Sequence, residues 1–144
     1  MSIFNGARLT NAVFKLDVER MRKGWYSDKY FENVEMLLAA LSRGGYVYQG
    51  KSARPLPCEP CGLRVGDIEV EMQWFTRRKP RALVAGVDKA LAMLRHCTGY
   101  FDDDGHFVET WDRLEVQAVQ DGVFVHYDGD PMMVQPVIRV RGPY

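Results

Sequence analysis

The segment "DIEVEMQWFT" at 67–76 alternates without a break. Ile68, Val70, Met72 and Trp74 fall on one side, and Glu69, Glu71 and Gln73 on the other. A period of two is the side-chain repeat of a β-strand, so this stretch is predicted as a strand buried on one face. A one-sided strand needs partners in its sheet and a second layer over its apolar face. That requirement organises the rest of the chain.

Two segments carry helical period. In the first, Tyr30, Val34, Leu37, Leu38 and Leu41 recur as one apolar stripe after Ser27, which is expected to cap the helix while Asp28 suits the positive end of its dipole. Gly44-Gly45 ends it, and "YVYQG" follows as a short strand. The second helix is predicted from Ala82 to His96, with Leu83, Val87, Leu91 and Leu94 on one side and Arg95 and His96 at its negative end. Residues 51–66, with three prolines, read as a loop, and "FDDDGHFVETWD" as a loop or hairpin. From Arg113 onward the chain is strand and turn. Asp121-Gly122 between "LEVQAVQ" and "VFVHY" predicts a two-residue hairpin, "DGD" before Pro131 another turn, and Pro136 an edge strand or a bulge. The order predicts an α+β fold with a mainly antiparallel sheet and two main helices.

The 144 residues suit one domain. Nineteen basic and nineteen acidic residues cancel, which argues against nucleic acid or an anionic membrane as the main partner. No apolar run is long enough to span a bilayer, and the first 24 residues lack the apolar block of a signal peptide. Three cysteines, an odd number, fit a reducing cytoplasm. Gly142-Pro143 reads as a turn leading onward, so the chain is expected to be a domain cut from a longer protein.

Chemistry is sparse. Cys58 and Cys61 have the spacing of a zinc or dithiol pair, but Cys97, His96 and His106 form no second pair, so two plain loop cysteines are the simpler reading. Asp102, Asp103 and Asp104 lack the alternating ligands of a calcium loop and read as a solvated turn. His96, His106 and His126 have no nucleophile elbow beside them, so no catalytic residue and no metal site is assigned. Arg77, Arg78, Lys79 and Arg81 form a basic patch at the expected start of the second helix. It reads as a solvated face, with phosphate contact or a subunit interface as alternatives. "SDKYF" leaves two readings open. Tyr30 begins the core stripe, or it turns an aromatic face toward a flat ligand or a second subunit.

Three stretches, "GWYSDKYFENVEMLL", "GDIEVEMQWFTRRKPRALVAGVDKALAML" and "DGDPMMVQPVIRVRGPY", together resemble the N-terminal part of nicotinate phosphoribosyltransferases and the wider nicotinate/quinolinate group. The likeness runs from Trp25 to Tyr144, leaving 1–24 as an N-terminal segment. It implies an N-terminal domain of α/β-hammerhead or barrel-sandwich type, followed by a catalytic barrel that this chain lacks. In that family the reaction joins nicotinate to phosphoribosyl pyrophosphate in NAD biosynthesis, with Mg2+ and in some members ATP. The active site forms between one subunit's barrel and its homodimer partner's N-terminal domain. The resemblance implies that Tyr30 stacks on the pyridine ring and that Asp28 lies close to the substrate. Glu32, Asn33 and Val34 follow where some relatives carry an arginine–threonine pair, and the Cys58–Cys61 insert has no counterpart. On this reading the chain alone is inactive, cytoplasmic, and exposes apolar surface that promotes self-association. The alternatives are a quinolinate-type enzyme, a non-catalytic binding or scaffold domain, and a small zinc protein.

Overall fold

The computed structural model describes residues 8–47, 64–65 and 68–143. A short helix α1 (Val18–Arg22) leads into α2 (Lys29–Arg43). Then come β1 (Glu69–Phe75), β2 (Arg81–Leu83), α3 (Val87–Cys97), β3 (Gly99–Phe101), β4 (Phe107–Glu109), β5 (Glu115–Ala118), β6 (Phe124–His126) and β7 (Pro136–Pro143). The strands pair as a three-stranded sheet in the order β1-β7-β5 and two ribbons, β2-β6 and β3-β4, every pair antiparallel. The coarse expectation of an α+β fold with antiparallel sheet therefore holds. The tail of strand and turn is what supplies β5, β6 and β7.

The alternating segment is β1. Its glutamates face solvent, where Arg139 and Arg141 of β7 pair with Glu71 at 2.6 Å and Glu69 at 3.2 Å. On the opposite face the core gathers around Val84, Val87, Val125 and Ile138, with Leu91, Leu94, Val116 and Val140 packed against it. Burying side chains of this size contributes roughly 1.5–3 kcal/mol each. Ala92 of α3 is completely buried. The far end of the β1 face is less covered than its pattern predicts, because Met72 and Trp74 remain exposed.

Several expectations are corrected. The hairpin across Asp121-Gly122 does not form: β5 pairs with β7, and β6 pairs with β2. The turn is drawn to α3 instead, where the Asp121 carboxylate accepts the Val87 and Asp88 amides at 2.8 and 3.2 Å. Gly122 donates to the Val84 carbonyl and Val84 donates to that of Val123. The same pairing shortens the second helix, since residues 81–83 are claimed by β2 and α3 begins at Val87 after the left-handed Gly86. Asp28, not Ser27, caps α2. Its Oδ1 accepts from the Tyr30 amide at 2.8 Å.

Pro136 opens β7, which is central and not an edge strand. The bulge alternative fits, because the register breaks opposite it at Trp74/Phe75. Gly142-Pro143 is not a turn but the end of β7, paired with Val70 and Glu69. The 99–109 segment is the hairpin β3-β4, and Asp102 closes its loop by accepting the amides of Asp104 and His106. Of the predicted strand 46–50, Val47 makes a single bridge to Arg64, and residues 48–50 lie outside the described residues. The loop of 51–66 is likewise outside them apart from Arg64 and Val65.

The segment before residue 25 is bonded into this body. Arg8 donates to Asp88 at 2.8 Å and to the carbonyls of Ala118 and Val119, and the Leu9 amide donates to Asp88 at 2.9 Å. Those bonds hold the Asp88 carboxyl below its ordinary pKa, the Leu9 amide most strongly and Arg8 in addition, against the opposing effect of burial.

Candidate functional site

The α2 tip is assembled locally. Gly24, with φ of 78°, reverses the chain after α1, and the Trp25 and Ser27 amides donate back to the Arg20 and Gly24 carbonyls at 3.0 and 2.9 Å. The Tyr26 hydroxyl donates to Asp17 at 3.2 Å, and Arg20 lies 5.2 Å from the Trp25 ring centre. Asp28 then starts α2, and Lys29 pairs with Glu32 at 2.9 Å. The result is a cluster of outward aromatic rings: Trp25 is 70% exposed, Tyr30 72% and Phe31 61%. Tyr30 and Phe31 meet edge to face at 6.3 Å.

Tyr30 therefore does not begin a buried stripe. No residue of α2 is buried; Val34, Leu38 and Leu41 are half-covered while Leu37 is exposed. A cavity of about 440 Å³ separates Leu38, Ala39 and Ser42 of α2 from Tyr100 and Leu114 of the body. The sequence suggested two readings of Tyr30, and the geometry removes the core one. Of the Asp28 carboxylate, Oδ1 is committed to the helix cap.

The basic patch lies between β1 and α3, with Arg77, Arg78 and Lys79 in the 76–80 loop and Arg81 on β2, six residues or more before the first residue of α3, so it is not at a helix start as expected. Among the described residues Arg77, Arg78, Lys79 and Arg81 form no ion pair. Instead the Arg77 guanidinium sits 5.4 Å from the Phe75 ring and that of Arg81 4.7 Å from Phe124. Aromatic faces hold these cations without neutralising them. No hydrogen bond, ion pair or ring contact joins this loop to Tyr30 or Asp28 among the described residues.

A second cavity of about 440 Å³ opens between α3 and the sheet, walled by Trp74, Val87, Leu94, Cys97 and Ile138. Burial raises the pKa of the Cys97 thiol, with Arg22 opposing that rise, so a neutral thiol faces an apolar wall there. The histidines are scattered: His96 offers its carbonyl to Arg22, His106 stands exposed 3.8 Å from Asp102, and the His126 amide donates to Gln135. Among the described residues no three His, Cys, Asp or Glu side chains are placed to hold a metal. Cys58 and Cys61 lie outside those residues.

Two residues that make long-range bonds to α3 carry no local signal for that role in the sequence. The sequence marks Asp121 only as a turn former and does not single out Arg22 at all. Both act across more than 30 positions of sequence. No helix among the described residues is long and apolar enough to cross a membrane. Comparison with models of known protein families, with known proteins and with solved structures gives no match.

Proposed function

We propose that this chain is the base-binding N-terminal part of a nicotinate phosphoribosyltransferase-like enzyme, with Tyr30 as the platform for the pyridine ring. The observation that carries the reading is the outward Tyr30 ring at the tip of a helix that buries none of its residues. A ring with no role in packing is free to stack. Asp28, by capping the helix, fixes the backbone from which that ring projects.

Stacking of this kind is worth about 0.5–1.5 kcal/mol beyond burial of area, too little to drive a reaction. Displacing pyrophosphate from the ribose also needs the base aligned and negative charge stabilised on the leaving group. The chain supplies alignment. The Mg2+ that accompanies phosphoribosyl pyrophosphate has no donor set among the described residues. The hammerhead or barrel-sandwich architecture, the partner subunit's barrel and the cytoplasmic setting belong to the same proposal. Arg77, Arg78 and Lys79, cations without carboxylate partners among the described residues, are the groups this chain offers to a phosphate or to a subunit interface.

Titrating the chain with nicotinate under NMR tests the reading. A stacked pyridine shifts upfield in the ring current of Tyr30; Tyr30→Phe keeps that shift and Tyr30→Ala removes it. A shift that survives Tyr30→Ala would refute the assignment. With nicotinate, phosphoribosyl pyrophosphate and Mg2+, the 144-residue chain is expected to show no turnover. The second reading, a non-catalytic binding domain, is favoured by the breadth of the exposed cluster, which adds Tyr26 and Met36 to the stacking ring. It predicts no pyridine shift at all.

A further inference from the structure

We propose that Arg22 is the positioning residue for the aromatic tip, the clamp through which the segment from Asp17 to Glu32 is registered on the body of the fold. Its functional meaning rests on the Tyr30 reading above; its structural part stands without it.

Because α2 buries no residue, its own packing does not locate its tip. The tip belongs instead to a locally tied unit. The Trp25 amide bonds to Arg20, the Ser27 amide to Gly24 and the Tyr26 hydroxyl to Asp17, and the Asp28 carboxylate takes the Tyr30 amide. Lys23 pairs with Glu19 and Lys29 with Glu32, again within the unit. Among the described residues, Arg22 is the one side chain of this unit whose hydrogen bonds reach outside it.

Three contacts meet on that guanidinium. Nε donates to the His96 carbonyl at 2.7 Å, at the end of α3 where the helix dipole is negative. Nη2 donates to Glu109 of β4, also at 2.7 Å. The plane lies 4.0 Å from the centre of the Phe107 ring, which itself packs edge-on against Phe101 at 5.3 Å. The side chain is 22% exposed, so these contacts are made largely out of water. A planar fork that donates in two directions while stacking is specific to arginine. Through it the unit is tied to α3, the helix of the core, and stacking on Tyr30 depends on that fixed orientation.

The experiment compares the chain with Arg22→Met, Arg22→Lys and Glu109→Gln by amide hydrogen exchange, with the nicotinate ring-current shift as a second readout. Arg22→Met is expected to speed exchange across 17–32 about tenfold, as for the loss of one charge-assisted hydrogen bond, with 89–95 unchanged. The nicotinate shift should fall with it. Arg22→Lys restores part of the protection, and Glu109→Gln gives a smaller change of the same sign. Native exchange across 17–32 in Arg22→Met overturns the clamp. So does an equal rise across 89–95, which would make Arg22 a general stabiliser. If the unaltered chain gives no nicotinate shift, the pyridine role falls while the exchange comparison still decides the clamp.

Discussion

Helices α2 and α3 look alike in sequence, each a run of leucines at helical spacing with a basic residue in the last turn. In the fold they part. Helix α3 buries Val87, Asp88 and Ala92, is capped from a distance by Asp121, and gives its C-terminal carbonyl to Arg22. Helix α2 buries nothing, is capped by its own Asp28, and turns Tyr30, Phe31, Met36 and Leu37 outward. Periodicity declares that a helix has an apolar face. Whether that face is covered depends on residues far along the chain, and α3 has recruited them while α2 has not.

The largest test of this contrast sits beneath α3. Ile138 of β7 is buried against Val84, Val87 and Val125. Ile138→Ala should cost about 2–3 kcal/mol in urea unfolding, at the low end for such a truncation because a cavity already adjoins the site. Leu37→Ala on α2 should stay within about 0.5 kcal/mol. Comparable losses at the two positions would mean α2 is packed after all.

The caps sharpen the same contrast. Asp121→Ala removes an acceptor shared by two amides of a core helix and should cost about 2 kcal/mol of global stability. Asp28→Ala removes one bond at an exposed tip and should cost about 1 kcal/mol, read as faster amide exchange confined to the first turn of α2. Exchange that spread from Asp28→Ala into α3 would contradict the independence of the two helices.

A third effect depends on pH. The folded pKa of Asp88 lies below its ordinary value, chiefly through the Leu9 amide and then Arg8, so its bonds stabilise fully while the carboxyl is ionised in both states. That contribution is lost as pH falls from about 4, the unfolded value, through the lower folded one. Asp88→Asn should be less stable near neutrality yet flatter in its acid limb, measured as unfolding midpoint against pH. An unchanged acid limb would remove Asp88 from the link between residues 8–9 and α3.

What could be read from the residues follows the range of the forces involved. Strand β1 was legible because alternation is a local signal, and the β3-β4 hairpin because Asp102-Asp103-Asp104-Gly105 is turn chemistry in place. The second helix was placed five residues too early: Ala82 and Leu83 suit a helix, but pairing with Val125 and Phe124 claims them for β2. Asp121-Gly122 had the chemistry of a hairpin and lost it to a better use, capping α3. At the candidate site Tyr30 and Asp28 could be named from "SDKYF", but Arg22 could not, because nothing near "RMRKG" announces a partner at His96 or Glu109.

The smallest expected effect on stability is at Tyr30 itself. Its ring is mostly in solvent and touches Phe31 edge-on, so truncation gives up little burial. Alanine is the better helix former, by a few tenths of a kcal/mol, roughly enough to offset the lost ring contact. Tyr30→Ala should therefore unfold within about 0.5 kcal/mol of the unaltered chain while losing the nicotinate shift. The pairing of those two results matters more than either alone. A residue that is silent in stability and decisive in binding is held outward for a ligand, whereas a loss of 2 kcal/mol or more would show that the ring packs in solution and would return Tyr30 to the core stripe.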